Sequence, residues 1–217
     1  MSDEKRGVRR VFDEIAADFA RTRQRPWPEI EAFVEDVPGG DVALDIGCGN
    51  GRNVPLLVGA CSRVVGVDFS RELLAIARTD NPDAAFVCGD GTHLPITAGV
   101  ADVALCVAVL HHLPSTAERA ALLDELHRVL APGGRALLSV WAIEHSAFDG
   151  ERDEIRANDN DTYVPWTDHD DGTTHDRFYH IFERDELRTL LEASPLGVER
   201  LDLLNGNYYA RLVAPEG

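Results

Sequence analysis

Apolar and polar positions change period repeatedly along this 217-residue chain. Ala43–Ile46, Arg63–Asp68, Ala84–Cys88, Ala101–Val107 and Arg135–Trp141 are short, largely apolar runs, most of them followed by glycine or ended by aspartate, and they predict buried strands. Between them the apolar residues take helical spacing over 53–59, 71–79 and 115–130, the last opened by the capping-box pattern Ser115-Thr116-Ala117-Glu118. Ahead of the first strand, Val8, Val11, Phe12, Ile15, Ala16 and Phe19 predict one helix over 7–20, and Pro28 suits the first turn of a second. Strand–helix alternation of this kind predicts an α/β fold, a parallel sheet with helices on both faces.

The rhythm breaks over 145–175, where Asp159-Asn160-Asp161 and Asp168-His169-Asp170-Asp171 sit among Glu, Asn and Gly. This predicts an acidic insertion or mobile lid of solvated charge. No D-x-D-x-D-G run with a closing glutamate is present, so no metal is assigned to it. After it, 177–182 is read as rejoining the sheet, 184–194 as a helix, and 197–204 and 207–213 as the last strands. The reading is one domain over 1–217, with the helices of 1–40 covering the site.

The ends of the strands carry the chemistry. Ala43-Leu44-Asp45-Ile46-Gly47-Cys48-Gly49-Asn50-Gly51 runs a strand into alternating glycines, a turn open enough for main chain to touch a ligand. The spacing is G-x-G-x-G, whereas dinucleotide folds favour G-x-G-x-x-G with pyrophosphate on a helix N-terminus. Asp45 beside this turn repels pyrophosphate and suits a cationic amino group. Asp68 ends the second strand, where a carboxylate can take both ribose hydroxyls, and Asp90 follows the third in Gly89-Asp90-Gly91, within reach of an adenine amino group. The fourth ends in Ala108-Val109-Leu110-His111-His112.

Together these motifs resemble the class I S-adenosylmethionine (SAM)-dependent methyltransferases. The resemblance implies a Rossmann-like, seven-stranded, mostly parallel sheet with SAM as cofactor. It places cofactor contacts at Asp45, Gly47, Cys48, Gly49, Asp68, Phe69, Asp90, Gly91 and Ala108.

Charge and compartment narrow the picture. The formal charge is −17, and of 21 basic side chains only Lys5 is a lysine. Such a surface repels itself at low ionic strength and is screened within about 3 Å at molar salt, which predicts a halophilic, high-salt setting. The charged start Met1-Ser2-Asp3-Glu4-Lys5-Arg6 and the absence of a long apolar run predict a cytoplasmic protein with no membrane span. Cys48, Cys61, Cys88 and Cys106 lie on or beside core strands without C-x-x-C pairing and are read as reduced, buried thiols. Net acidity opposes nucleic-acid binding, yet Arg6, Arg9, Arg10, Arg21, Arg23 and Arg25 cluster near the N-terminus.

Outside the core lie aromatic and basic patches: Thr22-Arg23-Gln24-Arg25-Pro26-Trp27-Pro28, Val164-Pro165-Trp166 and Arg177-Phe178-Tyr179-His180-Ile181-Phe182. With Val109-Leu110-His111-His112 and Val140-Trp141-Ala142 they resemble the wobble-uridine tRNA methyltransferases, which esterify a 5-carboxymethyl group on the first anticodon base. Phe178 departs from that pattern, standing where relatives often carry Tyr. The resemblance implies that Arg23, His112, Arg177 and Tyr179 orient the substrate, that Trp141 stacks on the base, and that the tRNA anticodon loop is the partner nucleic acid. It also implies a heterodimer with a small zinc-binding activator protein, for which the edge strand Ala84–Cys88, with Phe86, offers unpaired backbone. From the residues alone, Arg23 serves equally well as a ligand for the SAM carboxylate, His111 or His112 as a structural histidine, Trp141 and Trp166 as core aromatics, and His180 as a partner of backbone. A small-molecule methyltransferase and a non-catalytic SAM-binding subunit are the competing functions.

Overall fold

The computed structural model describes residues 3–216; Met1, Ser2 and Gly217, which the sequence reading includes in the domain, lie outside them. Three helices lead in: α1 (Asp3–Glu14), α2 (Ala16–Thr22) and α3 (Pro28–Asp36). The single helix expected over 7–20 is interrupted at Ile15, and α3 begins at Pro28 as read. Then come β1 (Gly40–Ile46), α4 (Val54–Ala60), β2 (Cys61–Asp68), α5 (Arg71–Asp80), β3 (Ala85–Cys88), β4 (Ala101–Val107), α6 (Thr116–Val129) and β5 (Leu130–Trp141). Ser115 caps α6 by accepting from the Glu118 amide at 3.2 Å, the capping box seen in the sequence.

These strands form one seven-stranded sheet in the order β3-β2-β1-β4-β5-β9-β8, completed by β8 (Gly197–Leu204) and β9 (Asn207–Val213). The β3-β2-β1-β4-β5 portion is parallel, and β9 pairs antiparallel with both β5 and β8. Parallel strands buried on both faces read as continuous apolar runs, and β1 and β4 each carry five consecutive buried residues. Leu44, Ile46, Ala104, Cys106, Leu138 and Tyr208 pack one face against α6 residues Leu122, Leu123 and Leu126; Ala43, Leu105 and Leu137 face Phe33 and Leu57 on the other.

Residues 145–175, expected as an acidic insertion or lid, carry regular structure. They contain α7 (Arg152–Ala157), followed by β6 (Asp161–Thr167), which pairs in register with β7 (Thr174–His180). This ribbon is a separate two-stranded sheet, so the segment from Arg177 does not rejoin the main one. Three of its side chains meet the N-terminal helices: Arg21 reaches Asp170 at 2.8 Å, His175 reaches Glu14 at 3.1 Å, and His169 reaches Asp18 at 2.9 Å. α8 (Arg184–Glu192) then returns the chain to β8. All four cysteines are free, and Cys88 is exposed instead of buried because β3 is the edge of the sheet.

Candidate active site

A cleft of about 1200 Å³, counted out to its solvent mouth, opens above the C-terminal ends of β1, β2 and β4, where open α/β sheets bind ligands. Its floor is the turn after β1. Gly47 has φ +69°, and a Cβ there would sit 2.2 Å from Val109 Cγ2, so only glycine fits. The Gly47 and Cys48 amides both donate to Val67 O, at 2.7 and 3.1 Å, which ties the turn to β2. Asp68 closes the other side: its Oδ2 accepts from the Gly49 amide and its Oδ1 from the Ser70 amide, each at 2.8 Å. Burial pushes the Asp68 carboxyl up to about 6 against these donors.

Asp45 is 1% exposed and neither carboxylate oxygen has a hydrogen-bond partner. Burial pushes it up to about 7, opposed by the nearby charge of Arg52 and by the Asn53 amide, which is close but not hydrogen-bonded. Asp45 does not itself line the cleft, whereas Ile46 and Gly47, which follow it in the chain, do. An orphaned carboxylate at this depth calls for a cation, and the α-ammonium of SAM is one.

The far wall differs from the simplest reading. Asp90 lines the cleft, but its Oδ1 already receives Lys5 Nζ at 2.7 Å and Thr92 Oγ1 at 2.9 Å, so helix α1 closes over the place assigned to adenine. Ala108, at φ +59°, is a strained non-glycine residue at the end of β4, held by donation of its amide to Ser139 O and Oγ, each at 3.1 Å.

At the mouth, Arg23, His112, Trp141, Arg177 and Tyr179 line this same cleft, although they come from α2's end, the turn after β4, β5 and β7. The guanidinium carbons of Arg23 and Arg177 lie 5.2 and 4.9 Å from the Trp166 ring centroid, and Arg177 also lies 5.3 Å from that of Tyr179. Among the described residues neither arginine has a carboxylate within ion-pair distance, whereas Arg9, Arg10, Arg21, Arg152 and Arg156 all do. Within the N-terminal basic cluster Arg9, Arg10 and Arg21 are thus paired on the surface, Arg25 is exposed, and Arg23 lines the cleft. Tyr179 is buried, its phenol pushed up by that burial with Arg177 and Arg23 opposing, so it remains a hydrogen-bond donor at neutral pH.

The two histidines are fixed as opposite tautomers. His112 donates Nδ1–H to Phe178 O at 2.9 Å, while His111 Nδ1 accepts from the Trp141 amide at 3.3 Å, which places its proton on Nε2. Burial lowers His112 to about 3 and His111 well below the usual imidazole range. Both are neutral and feebly basic.

Of the nine cofactor residues read from the sequence, all except Asp45 line the cleft. Sequence reasoning missed Lys5, Arg52 and Asn50 as lining residues. Trp166 is a buried aromatic that braces arginines and does not line the cleft. His180 meets neither backbone nor cleft: Nδ1 lies 2.7 Å from Asp161 and Nε2 2.6 Å from Glu186, tying β6, β7 and α8 together. Among the described residues no cluster of metal-ligating side chains and no helix long and apolar enough to cross a membrane is present.

Carboxylates beside the glycine turn disfavour pyrophosphate and suit a nucleoside bearing a cationic amino acid. Fold and cleft together define a class I SAM-dependent methyltransferase, and a family model described as a methyltransferase domain matches residues 44–138. The tRNA (carboxymethyluridine(34)-5-O)-methyltransferase of Schizosaccharomyces pombe is 34% identical over 86% of this chain and 87% of its own length. The enzyme of that name from Macaca fascicularis is 39% identical over 72% of this chain, which spans 23% of that longer protein. In fold alone, the chain resembles a methyltransferase solved in complex with the Haloferax volcanii Trm112 methyltransferase activator, at TM-score 0.73 and 21% identity over 97% of this chain and 98% of that one. The chain belongs to the tRNA (carboxymethyluridine(34)-5-O)-methyltransferase family.

Proposed function

We propose that this protein transfers the methyl group of SAM to the carboxylate of 5-carboxymethyluridine at the tRNA wobble position, forming the methyl ester. The observation that carries this reading is the pair Arg23 and Arg177, inward-facing and without acidic partners among the described residues, beside the Tyr179 phenol. A carboxylate is ionised at neutral pH and needs no general base to attack. Amine or carbon acceptors need a base, and His111 and His112, held neutral and weakly basic, are poorly suited to that task.

Bound SAM supplies an electrophilic methyl on a sulfonium. This chain's residues then have three tasks. Asp45 and Asp68 serve the ammonium and the ribose; Arg23, Arg177 and Tyr179 hold one carboxylate oxygen and leave the other free; Trp141, stacked on His145 with centroids 4.7 Å apart, offers a ring to the base. Excluding water around the carboxylate strips its hydration before attack.

The reading includes a small zinc-binding activator protein as the other half of a heterodimer. β3 supports it: the strand lies at the sheet edge, and Phe86 is half-buried over Gly66, although its carbonyl already accepts from Arg78 at 3.1 Å and a partner strand would have to displace that bond or pair elsewhere on β3. Co-expression that raises solubility and SAM affinity supports this pairing, and unchanged values count against it. A cytoplasmic, high-salt setting belongs to the same proposal, supported by the charge of −17.

The test is mass spectrometry of nucleosides from mildly saponified tRNA incubated with SAM, the protein and the proposed activator partner. One added methyl on 5-carboxymethyluridine, absent without SAM, is expected. Its absence, with SAM binding demonstrated, contradicts the proposal.

A further inference from the structure

We propose that Trp166, which does not line the cleft, is a positioning residue that holds Arg23 and Arg177 together as a carboxylate clamp, and that Asp18 holds Trp166. The inference rests on the carboxylate-methylating reading above.

The problem the residue solves is electrostatic. Two guanidiniums near one another repel, and the structure pairs neither with a carboxylate among the described residues. An acidic neighbour would hold them in place but would also occupy the donors that a substrate carboxylate must use. An aromatic face attracts a cation without consuming its N–H groups. Trp166 does this for both arginines at once, with guanidinium carbons at 5.2 and 4.9 Å, and it is 7% exposed. Phe19, 5.5 Å from its ring, and Arg177's second contact with Tyr179 complete the packing.

The indole is itself pinned. Its Nε1–H donates to Asp18 Oδ2 at 2.9 Å across 148 residues of sequence. Asp18 is 2% exposed and also accepts from Arg21 and from His169 Nδ1. One buried carboxylate thereby joins helix α2, which delivers Arg23, to the β6–β7 ribbon, which delivers Arg177. The acidic segment 145–175 has a defined place in this scheme: it folds the ribbon onto α2 and sets the spacing of the two arginines.

The test uses the full chain with SAH present, so that no turnover occurs, and anticodon stem-loop RNAs carrying either a 5-carboxymethyl or a 5-carbamoylmethyl uridine. The acid and the amide share shape and differ in charge. The readout is the ratio of their dissociation constants, which loss of folding alone does not change selectively. Wild type is expected to prefer the acid by about tenfold or more. In Trp166→Leu the ratio is expected to fall towards one while the SAH dissociation constant stays within about threefold. Trp166→Phe, which keeps a ring and loses the Asp18 bond, is expected to restore most of the ratio. Should Trp166→Leu not fold, Trp166→Phe and Asp18→Asn are measured in its place, with a partial loss expected in each. A ratio equal to wild type in every folded variant overturns the positioning role. A wild-type ratio near one overturns the carboxylate reading itself, and the two failures are told apart by which protein shows them.

Discussion

Lys5 Nζ lies 2.7 Å from Asp90 Oδ1, and this is the one lysine in the chain. Its side chain is 3% exposed and it also reaches Thr92 Oγ1 at 2.8 Å, so its ammonium ties the start of α1 to the Asp90 wall of the cleft. Burial raises the Asp90 carboxyl, but the Lys5 and Thr92 donors outweigh it and hold it below the usual range. A lowered folded value contributes stability above the unfolded carboxylate range and loses it as pH falls through the folded value. Lys5→Met is expected to cost about 1–3 kcal/mol, the low end for a buried pair because Asp90 keeps 24% of its side chain exposed. Thermal unfolding at neutral pH checks this, with the difference shrinking in acid.

Because no second ε-amine exists, reductive methylation reports on α1 directly. Lys5 is expected to react more slowly than the α-amine, and more slowly again with SAH in the cleft. Equal rates with and without SAH, read by peptide mass spectrometry, contradict a closing role for α1.

With Asp45 in its proposed role toward the SAM ammonium, cofactor binding is expected to depend on pH. Its carboxyl is raised to about 7 in the free protein, so between the unfolded value near 4 and about 7 the native state holds the extra proton. Stability of the free protein therefore falls as pH rises through that window. An ammonium ligand favours the ionised form, so SAH affinity rises with pH, by about tenfold from about pH 6 to about pH 8. Asp45→Asn is expected to flatten this profile and weaken binding, as calorimetric titration would show.

Arg177→Gln and Tyr179→Phe separate chemistry from cofactor binding. Both are expected to lower methyl transfer, Arg177→Gln by about a hundredfold, while SAH affinity stays within about threefold. Arg23→Gln resolves the choice left open by the sequence: a loss confined to transfer places Arg23 on the substrate, and a matching loss of SAH affinity places it on the cofactor.

The charge of −17 predicts salt dependence. Raising potassium chloride from about 0.1 to about 1 M shortens the screening length from about 10 to about 3 Å. The melting temperature is expected to rise across that range. A flat or falling curve removes the high-salt part of the account.

What was legible in the sequence follows from range. β4 and β9 were read to the residue, because a buried strand announces itself locally, β8 was read beside the Asn205-Gly206 turn, and Gly47, Asp68 and Ala108 could be placed because they end buried strands. The break at Ile15 was hidden, since α1 and α2 bury apolar residues of one continuous pattern, Val8, Phe12, Ile15 and Ala16. The pairing of β6 with β7 was not legible in the acidic insertion, because its polar side chains looked solvated and their partners Glu14, Asp18 and Arg21 lie about 150 residues away. Asp18 and Arg52 carried no local signal at all. The mouth residues Arg23, His112, Trp141, Arg177 and Tyr179 were found through family resemblance, and the fold brings them to one cleft.

The central claim is that the acceptor is a carboxylate. Labelled methyl transferred from SAM to saponified tRNA at high salt, with and without the proposed zinc-binding partner, and then exposed to mild alkali, tests it directly. The account predicts label confined to the wobble nucleoside and released by alkali as methanol. Label that survives alkali would mean transfer to nitrogen or carbon and would contradict it.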